Sequence, residues 1–186
     1  TYASLRHAFP VRYIRPTRRL RTTRFDGDGL LLVESAWRGL HEDWKYKIAA
    51  YPDVPDRNNL ALRTIVDQAR DQGIPTVFWN KEDGVHFERF IDSAALFDVV
   101  LTVDENCLPR YRERLGPHIK LGVMPFAIDP ALHHPAPQGF HPKHRRANFV
   151  GSYSRHIHDR RRRWQDMMFL AAQPMGVTVY DRNSGR

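Results

Sequence analysis

The chain has 186 residues, a formal net charge of +8 at neutral pH, and 41% apolar residues. A chain of this length can bury about 70% of its unfolded surface, so a core needs no disulfide or metal to hold it. The single cysteine, Cys107, excludes an intrachain disulfide and is typical of the reducing cytoplasm. No apolar run approaches the roughly 18 residues of a membrane-spanning helix, so no transmembrane segment is expected.

The positive charge is concentrated at the two ends of the chain. Residues 1–25 carry seven arginines and no acid, for a net +7, and residues 136–186 also reach +7, whereas residues 26–135 carry −6. Basic flanks can bind nucleic acid, anionic lipid or a phosphorylated ligand, or can remain solvated. The charge pattern therefore leaves an anionic partner open.

After a basic N-terminal segment, residues 1–29, apolar runs alternate with helical stripes over residues 30–132. Apolar residues at helical spacing predict helices at 44–51, 59–72, 85–96 and 105–115. Short apolar runs between turn residues predict buried strands at 30–33, 76–79, 98–103 and 119–126. This alternation through short connections predicts an α/β fold, a Rossmann-like parallel sheet with helices on both faces.

The amino-acid composition of the chain changes at His133. Residues 133–147 are rich in proline and histidine and have no apolar periodicity, which predicts a linker. Six histidines lie within residues 133–158, but they are scattered without metal-ligand spacing or cysteine, so no metal site is expected. Residues 148–186 predict one β-α-β unit, the opening of a second Rossmann-like domain that is expected to be incomplete.

A polar cluster follows each of the four predicted strands of the first domain. In parallel sheets, ligands bind at the carboxyl ends of the strands, and these clusters fall there. We therefore expect this edge of the sheet to border a ligand-binding cleft. The clusters are ESAWRG (34–39), NKED (80–83), DEN (104–106) and FAIDP (126–130).

Five segments resemble, in order, the CgeB-like (spore-maturation-type) family of GT-B glycosyltransferases. The resemblance covers most of residues 30–186, and FWNKED and VGSY are its most specific parts. The segments are VESAWRG…WKYKI, GIPTVFWNKEDGVHFERF, FDVVLTVDENCLPRY, GVMPFAIDP and NFVGSYSRH…RR.

The resemblance implies two Rossmann-like domains that face each other across a cleft. The first would bind mainly the acceptor, a glycan or another hydroxyl compound, and the second the nucleotide-sugar donor. The nucleotide-sugar is then a co-substrate, and neither a cofactor nor a metal is expected. Residues 1–29 have no match to this family.

Sugar transfer needs a carboxylate near the acceptor hydroxyl and hydrogen-bond donors near the leaving diphosphate. The candidate catalytic carboxylates are Asp83, Glu82 and Glu34. The alternative role for Asp83 is to cap the helix that follows it. The alternative for Glu34 is an ion pair with Arg38 or Lys45.

Acceptor binding is expected from the loops after the strands, because indole rings stack on sugars and cations pair with phosphate. Trp37 can instead fill the core, and a lone histidine such as His86 is more often structural. The candidate acceptor-binding residues are Trp37, Arg38, Asn80, Lys81, His86 and Asp104.

The candidate donor phosphate-binding residues are Gly151, Ser152 and Tyr153. Glycine permits close approach of the backbone, and the amides that follow it can face a phosphate. The rival interpretation of the whole chain is a non-catalytic interaction module, or a nucleic-acid-binding module that uses the basic flanks.

Overall fold

The computed structural model describes residues 2–25, 27, 29–131, 133–135, 147–153 and 159–181. The chain divides into two compact units, Thr1–His133 and His134–Arg186. Most of the linker predicted at 133–147 lies outside the described residues.

The first unit is an α/β fold in which a four-stranded parallel sheet is flanked by helices, as in Rossmann-like domains. Its strands, in the spatial order β1-β2-β3-β4, are β1 (Leu31–Glu34), β2 (Thr76–Asn80), β3 (Val99–Thr102) and β4 (Lys120–Val123). Its helices are α1 (Tyr2–Ala8), α2 (Leu60–Asp71), α3 (Asp83–Ala94) and α4 (Leu108–Leu115). Short 3₁₀ helices occupy Arg18–Thr22, Leu40–Glu42 and Glu105–Cys107. The four predicted strands, and the helices predicted at 59–72, 85–96 and 105–115, are confirmed.

One face of this sheet carries the core. Phe78 and Val100 are neighbours in register on that face, and both are almost fully buried. The apolar stripes of α2, α3 and α4 join the same cluster. Each connection between consecutive strands places the next strand on the same side of the previous one. When such connections are right-handed, all of their helices lie on one face of the sheet. The sequence predicted helices on both faces. On the opposite face Trp79 is buried, but its neighbours are only partly buried: Leu32, Val77, Val99 and Leu101.

Residues 44–51 form turns and bends without a helix, so the prediction of a helix there is wrong. Trp44 and Ile48 are buried at helical spacing, which is the pattern behind the prediction. Tyr46, however, has a φ of 64°, a left-handed conformation outside any right-handed helix. The carbonyl of Ile48 accepts a hydrogen bond from the Ser93 hydroxyl at 2.6 Å. Tertiary hydrogen bonds thus use backbone groups that a helix would have paired internally.

The basic N-terminal segment is packed into the first unit. Leu20 is 5% exposed and belongs to the core cluster. The Trp44 indole N–H donates to the carbonyl of Ile14 at 2.9 Å. The Tyr13 hydroxyl donates to the carbonyl of Leu40, also at 2.9 Å. These contacts make the segment part of the fold.

We expect Leu20→Ala to lower the free energy of unfolding by about 2–5 kcal/mol, because truncating a buried leucine loses apolar burial and leaves a cavity. Arg19→Ala changes the neighbouring exposed residue and is expected to stay within about 0.5 kcal/mol of the parent. Denaturant unfolding of both variants measures the difference. Equal, small effects would show that the segment does not contribute to the cooperative core.

The second unit contains a parallel strand pair and one helix. Its elements are β5 (Ala147–Gly151), α5 (Asp159–Ala172), a 3₁₀ helix at Gln173–Met175, and β6 (Val177–Asp181). The rings of Phe149 on β5 and Phe169 on α5 pack edge-on with centroids 5.1 Å apart. The β-α-β order predicted for this part of the chain is confirmed over the residues described.

Candidate functional site

The loops after β1 and β2 meet through an ion pair, as the strand-end prediction requires. Glu34 ends β1 and Lys81 follows β2, and their Oε2 and Nζ atoms are 2.6 Å apart. The hydroxyl of Ser35 accepts a hydrogen bond from the Lys81 amide at 2.8 Å. The side chains of Lys81 and Glu34 remain 19% and 35% exposed. The pair therefore lies at the surface end of the sheet, where a ligand can reach it.

A buried network lies between β2, α3 and α4. Asn80 donates through Nδ2 to the Tyr111 hydroxyl at 2.7 Å, and its Oδ1 accepts from the Glu82 amide at 3.0 Å. The Tyr111 hydroxyl in turn donates to Asp83 Oδ2 at 3.2 Å. Asn80, Asp83 and Tyr111 are each at most 1% exposed. We call this the Asn80–Tyr111–Asp83 network.

Asp83 is the electrostatically costly member of the network. Its Oδ1 atom is buried without a hydrogen-bond partner among the described residues. Burial raises the pKa of Asp83, Asp104 raises it further, and the hydrogen bond from Tyr111 opposes the rise. Burial, with Asp83 nearby, also raises the pKa of Tyr111. The tyrosine therefore keeps its proton, and protonation of Asp83 is favoured relative to an exposed carboxyl.

The raised pKa of Asp83 predicts a pH-dependent stability. The stabilisation is complete below the unfolded pKa of about 3.9 and is lost as the pH rises through the higher folded pKa. We therefore expect Asp83→Asn, which carries no charge at any pH, to gain stability relative to the parent between about pH 4 and about pH 7. Thermal unfolding of both proteins at the two pH values measures this gain. A constant difference between variant and parent would contradict it.

Trp37 packs in an aromatic cluster. Its ring centroid is 5.0 Å from that of His86 and 5.2 Å from that of Phe90, in edge-on geometry. His86 departs from helical geometry inside α3, with φ −116° and ψ 32°. The geometry favours the core role that was the alternative for Trp37, and a structural role for His86.

The ion-pair alternative for Glu34 is wrong. Arg38 pairs with Glu42 at 2.7 Å, and Lys45 pairs with the same carboxylate at 2.7 Å. Both cations are therefore engaged with Glu42, whereas Glu34 pairs with Lys81. Arg38 lies on the exposed surface.

The capping alternative for Asp83 is also corrected. The N-cap of α3 is Glu82, whose side chain makes no capping hydrogen bond, and Asp83 is the first helical residue. Asp104 caps the 3₁₀ helix after β3, where its Oδ1 accepts from the Asn106 amide at 3.0 Å. Its Oδ2 would lie 3.9 Å from a Cβ placed on Gly84. The end of β3 therefore approaches the start of α3.

Two of the three donor-side candidates in the second unit, Gly151 and Tyr153, already have structural partners. A Cβ on Gly151 would lie 2.9 Å from Cζ of Phe149, so the glycine makes room for that ring. The Tyr153 amide donates to Asp181 Oδ1 at 3.2 Å, and its hydroxyl donates to Asp166 Oδ1 at 2.8 Å. Ser152 lies between them. Residues 154–158, which continue this loop, lie outside the described residues.

Burial decides which candidates a ligand can touch. Glu34, Lys81 and Glu82 are partly exposed, whereas Asn80 and Asp83 are buried. Their burial argues against the direct ligand contact predicted for Asn80 and Asp83. The sequence does not reveal the contributions of Ser35 and Tyr111. Tyr111 falls on the apolar stripe of α4 and therefore resembles an ordinary core residue.

The fold and the strand-end side chains define an α/β protein with a parallel sheet and a polar carboxyl edge. A search of family models, curated proteins and solved structures found no match to this chain. Within the described ranges, no helix has the length and apolar character needed to cross a bilayer. In those same ranges, no three His, Cys, Asp or Glu side chains group as a metal site would.

Proposed function

We propose that the chain is part of a GT-B-type glycosyltransferase, in which the first unit binds the acceptor. The observation that carries the proposal is the Glu34–Lys81 pair at the carboxyl edge of a Rossmann-like sheet. Ligands of α/β proteins bind at this edge. The resemblance of FWNKED and VGSY to CgeB-like enzymes supplies the reaction class, transfer of a sugar from a nucleotide-sugar to a hydroxyl group.

Glu34 is the proposed general base. Lys81 holds its Oε2 at 2.6 Å, and the described residues show no hydrogen-bond partner for the other carboxylate oxygen. That oxygen can accept the proton of an acceptor hydroxyl as the new glycosidic bond forms. Glu82, partly exposed beside Lys81, is the second carboxylate that can accept hydrogen bonds from sugar hydroxyls.

The Asn80–Tyr111–Asp83 network is proposed to position the site rather than to touch the acceptor. Asn80 binds the amide of Glu82, and Asp83 begins α3. The backbone is thereby fixed on both sides of Lys81 and Glu82. This assigns Asp83 a positioning role in place of the catalytic role expected from its sequence position.

Binding of the nucleotide-sugar donor is assigned to the second unit because its VGSY segment resembles CgeB-like enzymes. A leaving diphosphate is stabilised by hydrogen-bond donors held in advance of the reaction. Because Gly151 and the Tyr153 amide have structural partners, Ser152 is the remaining donor candidate among the described residues of this loop.

A donor and acceptor screen tests the proposal. The natural protein that contains this chain is incubated with UDP-, GDP- and dTDP-sugars and short neutral glycans, and the release of nucleoside diphosphate is followed by phosphorus NMR. We expect release from at least one donor, and none after heat denaturation. No release, together with no binding of any donor or glycan, would contradict the proposal.

A non-catalytic interaction module is the second candidate, because α5 exposes a large apolar surface. Large apolar patches rich in Trp and Met are typical of protein interfaces. This reading predicts that the chain self-associates in sedimentation velocity, that Trp164→Ser weakens the association, and that nucleotide-sugars do not bind. The exposed residues are Trp164, Met167, Met168 and Leu170.

A further inference from the structure

Arginine occupies every third position of one short segment, residues 12–24, which we call the arginine loop. All five of these arginines are exposed. Most of the residues immediately before these arginines are buried or partly buried, and Leu20 is the most buried of them. A 3₁₀ helix, which spans Arg18–Thr22, has three residues per turn and aligns positions i and i+3. The period-three arginines are Arg12, Arg15, Arg18, Arg21 and Arg24.

The arginine loop is closed and held on the first unit. The Arg12 guanidinium donates to the carbonyl of Arg24 and lies 5.9 Å from the centroid of the Phe25 ring. Gln72, at the end of α2, accepts from the Phe25 amide at 3.0 Å and donates to the Thr23 carbonyl at 2.8 Å. The arginines are therefore gathered on a fixed turn rather than spread along a free tail.

Most of this charge is not neutralised within the part of the chain that the structure describes. Arg15 pairs with Asp43 at 3.3 Å. No side-chain partner is found there for Arg18, Arg19, Arg21 or Arg24, and residues 1–25 contain no acid. Like charges held this close repel one another, so an anion that binds them relieves the repulsion.

We propose that the arginine loop binds single-stranded nucleic acid through its phosphates, a function separate from sugar transfer. Guanidinium groups bind phosphate oxygens in pairs, and the loop uses arginine at every basic position. A flexible strand can follow a closed turn, and phosphate contacts carry no base preference.

A membrane surface fits the loop less well. Interfacial membrane segments insert Trp, Phe or Leu beside their cations. The apolar residues Ile14 and Leu20 instead pack against the core of the first unit, so the exposed face offers guanidinium and threonine groups. Phe9 is 62% exposed but precedes the loop.

The test is the binding of a fluorescein-labelled 20-nucleotide single-stranded RNA, measured by anisotropy over a salt series. The loop variant changes Arg18, Arg19, Arg21 and Arg24 to glutamine. The matched control changes Arg160, Arg161, Arg162 and Arg163 in α5 to glutamine and removes the same net charge. The circular dichroism and melting temperature of both are compared with those of the parent.

We expect the loop variant to bind roughly tenfold or more weakly at about 0.1 M salt, with the salt slope reduced by about 3, from four lost phosphate contacts at about 0.7 each. The control is expected to lose less than about threefold. The single variant Arg21→Gln gives the same test, with a slope change of about 0.7, if the fourfold variant does not fold.

Three results would overturn the proposal. Equal losses in both fourfold variants would show that only bulk charge matters. Tighter binding to phosphatidylserine vesicles than to RNA, lost in the loop variant, would assign the loop to a membrane surface. No RNA binding by the parent at about 0.1 M salt would leave the loop without this partner.

Discussion

Tyr111→Phe is expected to lower the free energy of unfolding by about 2–4 kcal/mol, although it removes only one oxygen atom. The hydroxyl accepts from Asn80 and donates to Asp83, and all three side chains are almost fully buried. Its removal leaves two buried polar groups without this partner, and each such group costs about 1–3 kcal/mol. Denaturant unfolding measures the loss.

Tyr46→Phe is the matched control. The ring of Tyr46 packs against the guanidinium of Arg57, 4.0 Å from the ring centroid. Its hydroxyl has no hydrogen-bond partner among the residues described, so an effect within about 0.5 kcal/mol is expected. A double-mutant cycle of Tyr111→Phe with Asp83→Asn then isolates the coupling between the two groups. Similar losses for both tyrosines would show that the network contributes little.

Glu34→Gln is expected to lower the rate of sugar transfer by roughly 10²–10⁴, because the amide cannot accept the acceptor proton. The variant keeps the size of the side chain and an oxygen that can accept from Lys81. We expect the loss in kcat rather than in KM, since binding contacts to the acceptor persist. The measurement is steady-state transfer with the donor and acceptor that the screen identifies.

Glu113→Gln controls for the removal of a carboxylate. Glu113 is an exposed residue of α4, outside the strand-end loops, and its change is expected to leave transfer unaltered. Full activity in Glu34→Gln, together with a large loss in Glu82→Gln, would contradict the assignment of Glu34 as base.

Strands and capped helices could be predicted because their signals are local. The run before Asn80 is apolar, and β2 occupies it. Gly73 follows α2 with a φ of 72°, a left-handed conformation that glycine adopts without strain. The failure at 44–51 has a different origin, because spacing alone cannot distinguish a helix from turns that bury Trp44 and Ile48 with the same period.

The sequence predicted which edge of the sheet carries the candidate site, but not which of the site's side chains contact one another. Strand order places the ends of β1 and β2 together, but the register that pairs Glu34 with Trp79 brings Lys81 within reach of the carboxylate. The burial of Asn80 and Asp83 depends on Tyr111, which is about 30 residues away on another helix. No local pattern encodes such a contact.

The most direct test of the proposed acceptor site is NMR chemical-shift mapping with a neutral glycan acceptor, which has no charge to attract the arginine loop. The proposal predicts that the largest shifts fall on backbone amides at the carboxyl edge of the sheet, in residues 34–35, 81–83 and 104–106. Glu34→Gln should keep most of these shifts while lowering the rate of transfer. Shifts confined to α5 or to the arginine loop, with none at the strand ends, would contradict the proposal.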